Sequence, residues 1–151
     1  MKFEKLGKEY YVFIDKCYVD NVDYDDKKSI SDFVKTFIFR YRNKMNLNGF
    51  YKVKVYSNKY VGLFLEIFCL EENEYPNTLD LRILVYLNHD VYYLSDDYFI
   101  VNNFNEIYYS ENKFYCLVDK EVDVSILEFG NFIYDLNLLN KKRIVWFFIV
   151  L

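Results

Sequence analysis

Residues that could do chemistry are few in this sequence, and their spacing does not combine them. His89 is the single histidine and stands in a predicted turn beside Asp90. The three cysteines, Cys17, Cys69 and Cys116, are far apart and form no Cys-x-x-Cys pair. Zinc sites have ligands at short, repeated spacings, and no spacing here pairs His89 with a cysteine. We therefore expect no metal site and no catalytic Cys–His pair.

Motifs that hold phosphates or activate a nucleophile are also absent. The chain has four glycines, and none of them belongs to a phosphate loop, a dinucleotide-binding fingerprint or a nucleophile elbow. Adjacent acids such as Glu71 and Glu72 point in opposite directions on an extended chain, so they do not form a catalytic pair. The sequence therefore predicts a protein that is not an enzyme and that binds no cofactor.

The composition is that of one folded, aromatic-rich domain over residues 1–151. Hydrophobic residues make up 53% of the chain, which excludes intrinsic disorder. Its 17 Tyr and 15 Phe accompany a complete lack of Ala and Gln, a usage typical of an AT-rich genome, so many rings are expected simply to fill the core. The scattered cysteines favour a reducing compartment and buried thiols. Because there is no signal-like N-terminus and the longest apolar run is the eight residues 144–151, we expect a cytoplasmic protein with no membrane partner.

The clearest predicted element is a helix that starts near Ser29. Ser29 and Asp32 have capping-box spacing, and Asn48–Gly49 would end the helix with a left-handed residue. Between these signals, apolar residues recur with the period of one buried helical face, at Ile30, Phe33, Val34, Phe37, Ile38, Tyr41 and Met45.

Alternating apolar residues predict strands on both sides of this helix. The predicted strands are residues 3–17 with Gly7 as a break or bulge, 50–56 and 60–69 around an Asn58–Lys59 turn, 79–87, 91–94, 98–101, 106–109, 114–118 and 144–151. A second helix is predicted over residues 124–136, where Ser125 and Glu128 have capping-box spacing. The predicted fold class is therefore α+β, a mainly antiparallel sheet with two helices, loosely ferredoxin-like ends (β-α-β-β … α-β) and inserted extra strands.

Positive charge is concentrated in one segment of the chain. The net charge is −4, but residues 27–59 hold nine Lys or Arg and one acid, so this segment is +8 and the remainder is −12. Such an asymmetry indicates either an anionic partner or one half of the fold complementing the other.

The basic segment and the strand after it contain two candidate binding surfaces. The candidate residues are Lys35, Phe39, Arg42, Phe50, Lys52, Lys54, Tyr56 and Phe64. The first three fall on one outward stripe of the predicted helix, and the others are expected on one face of the predicted hairpin. Because the helix packs on the other face of that hairpin, we expect the two surfaces to point away from each other. A sheet face with rings and cations is typical of proteins that bind single-stranded RNA or DNA.

Short apolar-aromatic strings resemble MecA-type adaptor proteins. The strings are residues 3–6, 11–14 and 62–67 together with the helix, for the opening domain of that family, and residues 107–109, 113–118 and 127–133, for its closing domain. The resemblance implies an adaptor that delivers substrates to a Clp-type unfoldase and has no active site. The chain is shorter than these adaptors and lacks their long acidic linker.

The sequence therefore predicts a non-enzymatic cytoplasmic binding protein. The leading hypothesis is a protein–protein adaptor or regulator whose partner is another protein. The alternative is a protein that binds single-stranded RNA or DNA through the basic and aromatic face of the strand over residues 50–56.

Overall fold

The computed structural model describes residues 2–72, 78–95, 104–110, 112–121, 131–134 and 145–146. The chain divides into two compact units, Met1–His89 and Asp90–Leu151. Among the described residues, each unit has one five-stranded sheet. A single cooperative domain over residues 1–151 stays a prediction.

The first unit is a sheet covered by one helix. Its elements are β1 (Lys2–Leu6), β2 (Glu9–Asp15), a 3₁₀ turn (Lys16–Tyr18), α1 (Lys27–Tyr41), β3 (Gly49–Asn58), β4 (Gly62–Glu72) and β5 (Leu79–Tyr86). The strand order is β1-β2-β4-β3-β5. Neighbouring strands are antiparallel, except that β3 and β5 are parallel. The predicted α+β class with a mainly antiparallel sheet is thus confirmed.

The single strand predicted over residues 3–17 is wrong, because it is a hairpin. Gly7 has a φ of +62°, a left-handed conformation that glycine adopts without steric cost, and the chain reverses there. Lys2 to Leu6 consequently pair with Phe13 to Glu9 of the same segment. Residues 16–18 then leave the sheet as the 3₁₀ turn.

Helix α1 is confirmed, but both of its ends differ from the prediction. Its N-cap is Asp26, whose carboxylate accepts a hydrogen bond of 3.1 Å from the Lys28 N–H. Ser29 instead accepts a hydrogen bond of 2.9 Å from the Asp23 N–H, so the predicted capping box does not form. The helix ends at Tyr41 rather than near Asn48, and a short turn follows.

Asn46 ends the short turn that follows α1. Its φ is +54°, and the next residue, Leu47, donates its N–H to the Arg42 carbonyl at 2.9 Å. A left-handed residue followed by such a long backward hydrogen bond is a Schellman-type stop, in which Asn can replace Gly. Met45 and Leu47 on either side of it are buried and continue the core.

The core of the first unit lies between α1 and the sheet. Ile30, Val34 and Ile38 of the helix are fully buried, as are the sheet residues Val53 and Val55. These side chains belong to one apolar cluster with Val12, Ile14, Leu63, Leu65 and Ile67. The aliphatic faces predicted for the hairpin therefore pack against the helix, as expected.

The ferredoxin-like ends are not confirmed. The opening part does follow a split pattern, since β4 lies between β2 and β3, the two strands that α1 connects. The closing helix and strand do not complete that pattern in the described structure. The place beside β2 is taken by β1, and the C-terminal strand belongs to the other sheet.

The second unit is an antiparallel sheet. Its strands are β6 (Tyr92–Ser95), β7 (Ile107–Ser110), β8 (Lys113–Leu117), β9 (Asn131–Ile133) and β10 (Val145–Trp146), in the order β10-β7-β8-β6-β9. The buried ring of Tyr93 stacks on Phe104 and meets Phe132 edge-on, both at 5.6 Å between centroids. The predicted hairpin near residues 106–118 is confirmed as β7 and β8.

The second predicted helix is not confirmed. Asn131–Ile133, inside its predicted span, form β9 and pair with β6, because Phe132 packs its ring on Tyr93 across the sheet. Residues 124–130 and 135–136 lie outside the described residues, as do the strand predicted over 98–101 and most of the one predicted over 144–151. In the part of the chain that is described, no helix is both long and apolar enough to cross a membrane.

Candidate binding surfaces

The helical candidate residues lie on the side of α1 that faces away from the core. Lys35 is exposed, and 38% of the Phe39 surface is accessible. Arg42 is half-buried just beyond the last residue of α1. Ile38, the residue before Phe39, is fully buried. Lys35 and Phe39 therefore face outward, as the helical period predicts.

The strand candidates lie on the face of the sheet opposite α1. Alternation along β3 puts Phe50, Lys52, Lys54 and Tyr56 on one face, because Tyr51, Val53 and Val55 are buried on the other. Tyr56 is directly opposite Phe64 in the β3–β4 pairing, so Phe64 belongs to the same face. We call this the outer sheet face. Its described members include Glu9, Tyr11, Phe13, Phe50, Lys52, Lys54, Tyr56, Phe64, Glu66, Phe68, Glu71, Asp80, Arg82, Leu84 and Tyr86.

Aromatic rings on the outer sheet face contact one another. The Phe13 and Phe64 ring centroids are 4.8 Å apart, and Tyr56 stacks on Tyr86 at 5.0 Å. These contacts limit access to the central ring, since Phe64 is only 5% exposed, whereas Tyr86 at the edge is 42% exposed. The rings most open to a ligand are therefore at the margins of the face.

The described residues of the outer sheet face carry more anions than cations. The cations are Lys52, Lys54 and Arg82, and the anions include Glu9, Glu66, Glu71 and Asp80. Lys54 is directly opposite Glu66, and its ammonium group lies 5.7 Å from the Phe68 ring centroid. The +8 of the segment over residues 27–59 is thus not concentrated here. The core layer separates the outer sheet face from the Lys35 and Phe39 surface.

A groove that the sequence did not predict runs beside α1. Its volume is about 870 Å³, and we call it the aromatic groove. Its lining residues are Ile14, Cys17, Tyr18, Asp20, Asn21, Val22, Ser29, Asp32, Phe33, Thr36, Phe37, Arg40 and Tyr41. Helix α1 supplies one side of the groove, and the 3₁₀ turn with the loop after it supplies the other.

Three rings at four-residue spacing form the wall of the aromatic groove. Phe33 and Phe37 have their centroids 6.4 Å apart, and Phe37 and Tyr41 have theirs 4.7 Å apart. All three are half-buried, because the aliphatic row of Ile30, Val34 and Ile38 fills the contact with the sheet. The sequence does contain a pattern that indicates such a groove, namely three aromatic residues at four-residue spacing beside the aliphatic row that packs on the sheet.

Polar groups edge the groove, and its far side is open. Asp20 and Asp32 contribute carboxylates, and Arg40 contributes a guanidinium group. Tyr18, on the 3₁₀ turn, has 64% of its surface accessible. The groove is therefore an exposed channel of mixed polarity rather than an enclosed cavity.

The cysteines differ in environment, and the prediction that all three are buried is wrong. Cys17 is exposed at the edge of the groove, Cys69 is half-buried, and Cys116 is buried. A hydrogen bond with Asp15 and the charge of that carboxylate raise the pKa of the Cys17 thiol, which disfavours the nucleophilic thiolate. Burial raises the pKa of Cys116 to about 12. Cys17 is exposed because it lies on the turn that leaves the sheet after Asp15.

His89 is the last residue of the first unit and is half-buried. The centroid of its ring lies 4.6 Å from that of Tyr56. Its backbone N–H donates to the Ser57 carbonyl at 2.9 Å, and its backbone carbonyl accepts a hydrogen bond from the Asn58 side-chain amide. These contacts give it a structural place in the β3–β4 turn region. Among the residues that the structure describes, no three His, Cys, Asp or Glu residues form a group suited to holding a metal.

Comparison with known proteins gives no relative. No family model matches this chain, and neither a curated protein nor a solved structure matches it.

Proposed function

We propose that this protein binds another protein, as an adaptor or regulator, without catalysing a reaction. The observation that carries the proposal is the aromatic groove beside α1. Two further features support it: the pKa of the neighbouring Cys17 thiol is raised rather than lowered, and the outer sheet face carries more described anions than cations.

The groove has the residue types that dominate protein interfaces. Tyr and Arg are enriched among the residues that contribute most to protein binding, and Tyr18, Tyr41 and Arg40 are all accessible along it. From Phe33 to Tyr41 the helix rises about 12 Å, the length of two turns of a partner helix. Small-molecule sites enclose most of their ligand, whereas this groove is open at Tyr18.

The charges at the edge define the partner's chemistry. Asp20 and Asp32 favour basic residues on the partner, and Arg40 favours an acidic one. An amphipathic partner segment with apolar residues at helical spacing fits a row of rings at helical spacing. The resemblance of residues 3–6, 11–14 and 62–67 to the opening domain of MecA-type adaptors also supports an adaptor role.

Site-specific photocrosslinking in a native lysate tests the proposal. A benzophenone amino acid at Tyr41, which lines the groove, is expected to crosslink to a discrete partner protein. The same group at Phe39, two residues away on the outward side, is the matched control and is expected to give no such product.

A charge reversal then connects the crosslink to the groove. Arg40→Glu is expected to weaken partner retention at least about tenfold, the typical cost of losing an interface arginine, while Lys35→Glu on the same helix leaves retention unchanged. Retention of a small metabolite with no protein, or equal losses in both variants, would contradict the proposal.

Binding of single-stranded nucleic acid is the second candidate function. It is favoured by Lys52 and Lys54, which alternate with Phe50 and Tyr56 on the outer sheet face. Rings that stack on bases and cations that contact phosphates are the two requirements of such sites. The anions Glu9, Glu66 and Asp80 on the same face weigh against it.

Filter binding of a single-stranded oligonucleotide at low and high salt tests this candidate. If the face binds nucleic acid, the Lys52→Glu/Lys54→Glu variant binds more weakly and with a smaller salt dependence. Lys35→Glu/Arg42→Glu, with the same charge change on the helix side, is the control. Binding by the first variant that equals wild type removes the outer sheet face as a nucleic-acid site.

A further inference from the structure

Strand β5 is the last strand of the first unit's sheet, and no strand of the described chain covers its outer edge. On its other side it pairs with β3 in unbroken register, from Gly49–Leu79 to Tyr56–Tyr86. Edge strands offer free backbone N–H and C=O groups to any chain that can add a strand.

Apolar surface along β5 is left open at this edge. Ile83 and Val85 face the core, as do Val53 and Val55 beside them, yet the β5 pair is half-exposed and the β3 pair is fully buried. Space of about 450 Å³, lined by Lys27, Lys28, Ser31 and residues 83–86, lies next to this half of the strand. Proteins commonly guard such edges with proline, a bulge or charged side chains, and of these β5 has only the charges of Asp80 and Arg82.

The charged residues of β5 are complementary to those of a second, antiparallel copy of the same strand. Asp80 and Arg82 are both exposed and lie two positions apart on the outer sheet face. If two copies of β5 pair antiparallel about a twofold axis at Leu81, Asp80 of each copy is directly opposite Arg82 of the other. In the same register, Leu79 is opposite Ile83, and Leu81 is opposite Leu81. Opposite charges and apolar side chains in facing positions stabilise an antiparallel pair.

We propose that two copies of this chain associate through β5, joining their sheets into one continuous sheet of ten strands. The contact is isologous, because the same residues of both copies form it, and it closes as a dimer rather than growing into a fibre. The inference does not depend on the aromatic groove, whose residues are not on β5.

Two single variants and their mixture test the proposal by sedimentation velocity on the full chain. Wild type is expected to dimerise at micromolar to submillimolar concentration. Arg82→Glu leaves two acids and Asp80→Arg leaves two bases on each strand, so each variant alone is expected to dimerise at least about tenfold more weakly. Mixed together, the two variants restore opposite charges at both facing positions and are expected to form a heterodimer.

The mixture also controls for folding, because it contains the same two variant chains that are measured separately. If these chains dimerise only when mixed, both of them are folded. Circular dichroism of each variant checks that its sheet is intact. A wild type that stays monomeric over the whole concentration range, or a dimer that neither single variant weakens, overturns the proposal. A mixture that stays monomeric does so as well. None of these outcomes alters crosslinking at Tyr41, so the two proposals fail separately.

Discussion

Replacement of Gly62 by Ala is the sharpest test of the first unit's packing. Gly62 begins β4 with a φ of +135° and is opposite Asp15 at the end of β2. A Cβ at this position would overlap the Ile14 carbonyl oxygen and lie 2.8 Å from the Lys16 nitrogen. Both are backbone atoms, and the Lys16 N–H is already bonded to the Val61 carbonyl at 2.9 Å. The obstacle therefore cannot rotate away, and the strands themselves would have to separate.

The size of the effect follows from two costs. A non-glycine residue at such a φ costs about 1–3 kcal/mol, and forcing a methyl group into closely packed atoms costs about 1–3 kcal/mol more. We expect Gly62→Ala to lower the free energy of unfolding by about 3–5 kcal/mol. Gly7→Ala is the matched control, because Gly7 also has a positive φ but a Cβ there would have no atom within 4 Å. Its expected cost is the left-handed conformation alone, about 1–2 kcal/mol.

Urea unfolding followed by circular dichroism measures both variants. With a slope of about 2 kcal/mol per molar urea, the difference between them is a shift of about 1 M in midpoint. Hydrogen exchange then localises the loss, which is expected at the junction of β2 and β4 for Gly62→Ala and at the β1–β2 turn for Gly7→Ala. Equal midpoints for the two variants would refute the close backbone approach at Gly62.

Three further predictions concern the core, a buried hydroxyl and the thiols. Ile38→Ala, at a fully buried position, should cost about 2–5 kcal/mol in urea unfolding, whereas Phe39→Ala next to it should change stability by less than about 1 kcal/mol; similar losses would mean that α1 is rotated. The Tyr24 hydroxyl is buried and has no hydrogen-bond partner among the described residues, so Tyr24→Phe should raise stability by about 1 kcal/mol. Burial, and secondarily the charge of Asp15, raise the Tyr24 pKa from 10.0 to about 12. The contribution of this group to the free energy of unfolding is therefore complete below about pH 10 and is lost as the pH rises toward 12. Urea unfolding at several pH values should show this decline in wild type and a smaller one in Tyr24→Phe. Finally, a maleimide should label Cys17 in the native protein and Cys116 only after unfolding, as mass spectrometry of the labelled peptides would report; early labelling of Cys116 would contradict its burial.

Periodicity predicted the elements whose buried faces are regular. Helix α1 was recognisable because Ile30, Val34 and Ile38 recur at helical spacing and all three are buried. Strand β5 was recognisable because Leu79, Leu81 and Ile83 alternate with polar residues. Each of these elements packs against the core through regularly spaced residues, and regular spacing is visible in the sequence.

Features that depend on single backbone angles were missed. The N-terminal hairpin requires the left-handed Gly7, and the end of the turn after α1 requires the left-handed Asn46, yet a residue type alone does not fix its φ. The helix predicted over residues 124–136 failed at Asn131–Ile133 because the partner of Phe132 is Tyr93, a contact between distant parts of the chain.

The candidate surfaces divide in the same way. The outward stripe with Lys35 and Phe39 and the outer face of β3 could be assigned from local periods of 3.6 and 2 residues. The aromatic groove could not, because its second side comes from the turn with Tyr18, whose path no local period describes. The parallel pairing of β5 with β3 was missed for the same reason, since register between separate strands is a long-range property.

The position of β4 in the middle of the first sheet sets the order in which this unit can form during synthesis. Strands β2 and β3 are not neighbours in the sheet, and β4 alone connects the β1–β2 pair to the β3–β5 pair. A growing chain that has not yet passed Glu72 therefore holds the β1–β2 hairpin and α1 but has no complete bridge between β2 and β3. Contacts as distant as Glu9 with Phe68 must close before the helix has a full sheet to cover. Until β4 is in place, the apolar row of α1 has no complete sheet to pack against, and exposed apolar surface of this kind promotes aggregation during folding.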